Sequence, residues 1–264
     1  MKQNQNSFHT LTFYQLITQS LTYYRRTFFL LFIISLLFTL PSYLLEITLL
    51  DTQNPPLDYS ISQIWIALSF LLFDMLLTFP LLSLLCTGNV LKETISTLSS
   101  NWFRKSWSHI LFLNFLTLIV FIPSFSLFFL YLIMYQALLQ LLTFLIGFLL
   151  LIPTIYLLIR WTFIFQVSID DPSKNYQQIF AHSWKLTSKN VLAIFILVVF
   201  AMIILLLPSI LFDEIASQFQ QWKQIFLLLS YFVDALCNPI LSIFISLLYL
   251  KYKNIYYQSE KLTS

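Results

Sequence analysis

Glycine is almost missing from this chain: Gly88 and Gly147 are the two in 264 residues. Phosphate-cradling loops and dinucleotide fingerprints need several glycines at close spacing, so neither can be built. Close helix packing through a GxxxG seam is excluded for the same reason. Histidine is nearly as scarce, and His9, His109 and His182 each stand alone. No H-E-x-x-H run, no Cys/His cluster, no carboxylates at ligand spacing and no G-x-S-x-G turn occur. The expectation is a protein without metal or cofactor and without catalytic activity. Cys86 and Cys237 both fall within apolar stretches with no CxxC pattern, and read as reduced, apolar side chains.

Charge is the other scarcity. Charged residues are 9% of the chain against 59% apolar, with 28 Phe and 14 Tyr. A soluble domain of this length needs a far larger charged surface, so the class is integral membrane protein. Partners are expected among membrane lipids or another membrane protein, not nucleic acid. A hydrocarbon core about 30 Å thick takes roughly 20 apolar residues per helical span. Six such spans can be counted, near 28–50, 64–87, 109–133, 137–163, 191–212 and 225–250. Strands of a membrane barrel alternate polar and apolar residues, which runs such as Leu142-Thr143-Phe144-Leu145-Ile146 do not. The expected fold is an all-α polytopic bundle forming one membrane domain over residues 1–264.

Basic residues orient it. Thirteen of the fourteen fall on one side of the expected spans, and Lys223 alone lies opposite, where Glu46, Asp51, Asp58, Asp213 and Glu214 collect. The positive-inside rule makes the basic side cytoplasmic, with both termini on it, as in a multi-pass protein of a bacterial inner membrane. The stretch Tyr24-Arg25-Arg26-Thr27-Phe28-Phe29-Leu30 mimics a twin-arginine export signal but reads as a basic anchor before a permanent span.

Each expected span carries one proline: Pro41, Pro80, Pro123, Pro153, Pro208 and Pro239. Every second one is followed by serine, as Pro41-Ser42, Pro123-Ser124 and Pro208-Ser209, at intervals of 82 and 85 residues. This predicts a two-span unit laid down three times in parallel, over about 9–87, 90–165 and 171–252. Proline leaves a backbone carbonyl one turn earlier without its donor, so the bends are expected to face protein, with the serines reaching back to such carbonyls. An interfacial amphipathic helix precedes each odd-numbered span: Leu11 to Tyr24, Val90 to Trp107, and one capped by Asp171 with Pro172 at its first position. In the last, Tyr176, Ile179, Phe180, Ser183 and Thr187 share one face. These helices either bind the headgroup region or pack beneath the bundle.

Two acids fall within expected spans, Asp74 and Asp234, each about ten residues or 15 Å deep. A carboxyl at such depth marks an ion path or proton relay, or hydrogen-bonds neighbouring helices through Ser69, Ser230, Asn114 or Asn238. Arg160, ending the fourth span, is expected to snorkel toward lipid phosphate or to pair with Asp170 or Asp171.

The elements Arg160-Trp161-Thr162-Phe163, Asp171 and Ala181-His182-Ser183-Trp184-Lys185-Leu186-Thr187 form a cytoplasmic-interface motif. With the ending Asn238-Pro239 through Leu247-Leu248-Tyr249, it resembles the YciC-like inner-membrane family and the related membrane domain of some glycerophosphodiester phosphodiesterases. The chain departs after Tyr249, where relatives often carry an acid and this chain has Leu250-Lys251. The resemblance implies a bacterial inner-membrane protein and no established activity. Two readings follow: a non-catalytic protein binding lipid or a partner, or a transporter or channel using Asp74 and Asp234 as a proton or cation site. A periplasmic reporter fused after Ser264 is expected to be inactive; an active one would overturn the orientation.

Overall fold

The computed structural model describes residues 11–50, 79–92, 107–116, 119 and 137–263. Among them every regular element is helical. In chain order these are α1 (Phe13–Leu50), α2 (Phe79–Lys92), α3 (Trp107–Leu116), α4 (Ala137–Trp161), α5 (Ile164–Asp170), α6 (Tyr176–Ser188), α7 (Val191–Gln218) and α8 (Lys223–Thr263). Asp74 and Pro123, the second expected span before residue 79, the third beyond residue 116 apart from residue 119, and most of the stretch from Val90 to Trp107 lie outside the described residues. Four helices among the described residues are long and apolar enough to cross a membrane: Phe13–Leu37, Leu141–Asp170, Val191–Gln218 and Lys223–Glu260. This is the fold of a membrane protein.

The first surface helix and the first span are one helix. No glycine or proline stands between Tyr24 and Thr39 to stop it, and Thr12 and Gln15 start it with a capping box. The join is marked at Thr27, whose backbone (φ −119°, ψ 17°) leaves helical geometry directly after Arg25 and Arg26. The sixth span also exceeds its expected length. As 41 residues, α8 extends about 60 Å, twice the hydrocarbon thickness. After Pro239 nothing interrupts it, so its last turns emerge beyond the membrane.

Helix α8 is the central post. It packs most extensively on α1 and α7, then on α2. Of its most apolar window 56% is buried, against 6% for the span containing α4, which therefore faces outward as a lipid-exposed helix does. Ile243, Phe244, Leu247, Leu248 and Tyr249 of α8 form one buried cluster with Leu82, Leu84, Cys86 and Val90 of α2, with Phe163, and with Ile164, Phe165, Val167 and Ile169 of α5. Polar contacts cross the same seam. Thr87 and Ser246 share a hydrogen bond of 2.9 Å, and the Cys86 thiol lies 3.7 Å from the Pro239 carbonyl oxygen.

The prolines are arranged differently from expectation. Pro41 and Pro80 lie in α1 and α2, and Pro153, Pro208 and Pro239 lie inside α4, α7 and α8. Pro239 faces protein, but the rings of Pro153 and Pro208 face outward. The following hydroxyl turns inward instead: Thr154 donates to the Leu150 carbonyl at 2.9 Å and Ser209 to the Leu206 carbonyl at 2.9 Å. Successive residues lie about 100° apart around a helix, so on α4 and α7, which bury only a narrow stripe, the ring and its next neighbour take different sides. The ring has no donor to satisfy and tolerates lipid; the hydroxyl does not.

Interhelical hydrogen bonds between hydroxyls in membranes average about 0.6 kcal/mol. A double-mutant cycle of Thr87→Val and Ser246→Ala, read by unfolding in detergent, is expected to give a coupling of about 0.5–1 kcal/mol. A coupling of zero would remove this bond from the α2–α8 seam.

Candidate interfacial site

Basic and aromatic side chains converge where α4, α5, α6 and the emerging end of α8 meet. The chain turns sharply there. After Trp161 it leaves helix α4, re-enters it as the short α5 with all but Asp170 buried, turns over Asp171 to Asn175, and runs back as α6. Asn175, not Asp171, caps α6: its side chain accepts from Gln178 N–H at 2.9 Å, and Gln178 returns a bond to Asn175 N–H at 3.1 Å. Asp171 closes the turn instead, accepting from Ser173 N–H and its hydroxyl and pairing with Lys174 at 3.6 Å. The Ser173 hydroxyl foremost, opposed by partial burial, holds the Asp171 carboxyl below its ordinary range.

The face expected of α6 is largely observed. Ile179, Ser183, Leu186 and Thr187 are buried, Phe180 is half-buried, and Tyr176 lies toward the exterior. Ser183 donates to the Arg160 carbonyl at 2.8 Å, and the Phe180 ring meets Trp161 edge-on at 5.0 Å. The helix therefore packs beneath the bundle while Lys185, Ser188 and Lys189 stay exposed.

Arg160 neither snorkels freely nor pairs with an acid. It is 9% exposed, with its guanidinium carbon 5.1 Å from the Tyr156 ring and 4.7 Å from the Trp184 ring. Nε and one terminal nitrogen donate to the Tyr156 hydroxyl at 3.0 and 2.8 Å, and the other terminal nitrogen reaches the Trp184 carbonyl at 3.5 Å. The expected acid is engaged elsewhere. Asp170 accepts from the Tyr249 hydroxyl at 2.9 Å and from Lys253, both on α8. Each aromatic face contributes about 0.5–2 kcal/mol to a cation, whereas removing an ion from water costs several kcal/mol. The Arg160 charge is thus held in place without an anionic counterpart among the described residues.

The structure brings Arg160, Trp161, Ser183 and Trp184 together and places Asp171 in the adjoining turn. Sequence reasoning missed Tyr156 and the Asp170–Tyr249–Lys253 group. The first had a signal, one helical turn before Arg160; the second links residues 79 and 83 positions apart and had none. Lys251 joins the same end by donating to the Leu11 carbonyl at 2.7 Å.

Asp234 stands apart, on α8 facing α7. Its carboxyl lies against the Ser209 hydroxyl, and Oδ1 is buried with no hydrogen-bond partner. Ser230, an expected partner, donates to the Ser209 carbonyl at 3.2 Å instead. Among the described residues no group of three or more His, Cys, Asp or Glu could hold a metal ion, and both cysteines are free. Comparison with protein-family models, curated proteins and solved structures produced no match to this chain.

His182 on α6 is held below its ordinary pKa of 6.5, mainly by burial and then by Lys174 and Lys253, while Asp170 opposes them. The folded state therefore favours neutral imidazole. Its stabilising contribution is complete above pH 6.5 and lost as pH falls through the lower folded value. The thermal midpoint is expected to drop as pH falls below 6.5, and His182→Gln to flatten that drop. An identical pH profile in the variant would refute the assignment.

Proposed function

We propose that this chain is a non-catalytic, multi-pass protein of a bacterial cytoplasmic membrane that binds lipid at its basic, aromatic-rich end. The observation that carries the reading is α6, an amphipathic helix packed beneath the spans, which leaves Trp184 part-exposed beside exposed Lys185 and Lys189. Aromatic rings with lysines at the boundary suit the headgroup region, where anionic lipid attracts each basic side chain. Another membrane protein is the alternative occupant of this end. Six spans, a threefold parallel repeat, cytoplasmic termini and kinship with YciC-like proteins complete the proposal. The spacing of the Pro-Ser pairs supports the repeat, as does a shared start: α1 and α6 both open with a capping box ending in glutamine, Gln15 and Gln178. The one-sided distribution of Lys and Arg supports the orientation.

A second reading has one observation in its favour. The unpartnered Asp234 Oδ1, buried between two spans, suits a proton or cation site in a transporter or channel, with Asp74 as its sequence counterpart. Mass spectrometry of the protein purified in mild detergent separates the two when combined with flux measurements in liposomes. Tightly retained phospholipid with no proton or cation flux is expected. Flux that Asp234→Asn abolishes would replace the lipid-binding reading with transport.

A further inference from the structure

A guanidinium carries five N–H donors and accepts nothing. At Arg160 the Tyr156 hydroxyl takes two of them and the Trp184 carbonyl a third. One N–H on each terminal nitrogen is left over. The neighbouring carboxylates are committed, Asp170 to Tyr249 and Lys253, Asp171 to Ser173 and Lys174. A buried cation with unused donors and no opposing carboxylate among the described residues calls for an external anion, because burial penalises an unopposed charge. The flanking rings prevent the group from swinging out to solvent, yet Tyr156 is 41% and Trp184 39% exposed, so the exterior is close.

We infer that Arg160 is the recognition point for a phosphate oxyanion, which those two N–H groups would bind. A guanidinium in a buried position holds its remaining donors in a fixed plane for phosphate oxygens, which a freely rotating ammonium group does not. Exposed Lys185 and Lys189 add attraction for the same sign of charge. The oxyanion comes from an anionic phospholipid headgroup or from phosphate in solution. This inference rests on the lipid-binding reading and narrows it to one side chain and one chemical group.

The test is native mass spectrometry of the purified full chain titrated with phosphatidylglycerol, phosphatidylcholine and inorganic phosphate. Wild type is expected to prefer phosphatidylglycerol by about tenfold, Arg160→Gln to lose the preference, and Arg160→Lys to keep part of it. Thermal midpoints establish that the variants are folded; if Arg160→Gln is not, Arg160→Lys is the deciding variant. Inorganic phosphate that displaces phosphatidylglycerol assigns the site to free phosphate, and lipid retained against it assigns the site to the headgroup. An undiminished preference in the folded variants overturns the site and leaves general lipid binding standing. Wild type that retains no lipid and no phosphate overturns both.

Discussion

Hydrocarbon offers no hydrogen bonds, and this chain meets that constraint with its own hydroxyls. Ser20 and Ser246 return their protons to carbonyls four residues earlier in the same helix, as does Thr154 beside an outward-facing proline. Ser230 crosses to the Ser209 carbonyl on the neighbouring span, and Thr87 meets Ser246 across another seam. Each contact is small, but an unmade one in lipid costs several kcal/mol. Helices that must keep such groups inward acquire a fixed rotation about their axes. That rotation puts α8 at the centre and leaves the apolar faces of α4 and α7 to lipid.

Where the membrane ends, the constraint relaxes and the chemistry changes. At the end shared by α4, α5, α6 and α8, charge is admitted, and it is organised as two unlike arrangements side by side. In one, Asp170 links the short α5 to α8 through Tyr249 and Lys253. In the other, Arg160 is enclosed by two rings and a phenol without a carboxylate. The first is complete within the protein and holds the fold together. The second holds a buried charge by ring faces, a hydroxyl and a carbonyl alone.

Much of the architecture was readable because membranes impose simple patterns. Long apolar runs meant spanning helices, and the 3.6-residue period set the buried face of α6 through Ile179, Ser183 and Thr187. Helix ends were harder. Asp171 followed by Pro172 is a reasonable helix start, but Lys174 three residues on cannot complete a capping box, whereas Asn175 with Gln178 satisfies two backbone groups reciprocally. The pattern of Thr12 and Gln15 carries the same signal. The fusion of the first surface helix with its span follows from the lack of glycine or proline between Tyr24 and Thr39, and the length of α8 from the lack of either after Pro239.

Composition and spacing alone therefore determined the class of protein and the helical nature of its spans. Those properties depend on solvation and helical periodicity, which are local to each segment. Only the tertiary structure decided which charges meet. Arg160 has two acids ten and eleven residues ahead and contacts neither, because α5 carries Asp170 toward α8, while Trp184, 24 residues on, returns on α6 to cover the guanidinium. Pairing at a distance depends on how helices pack, and no local pattern in the chain encodes it.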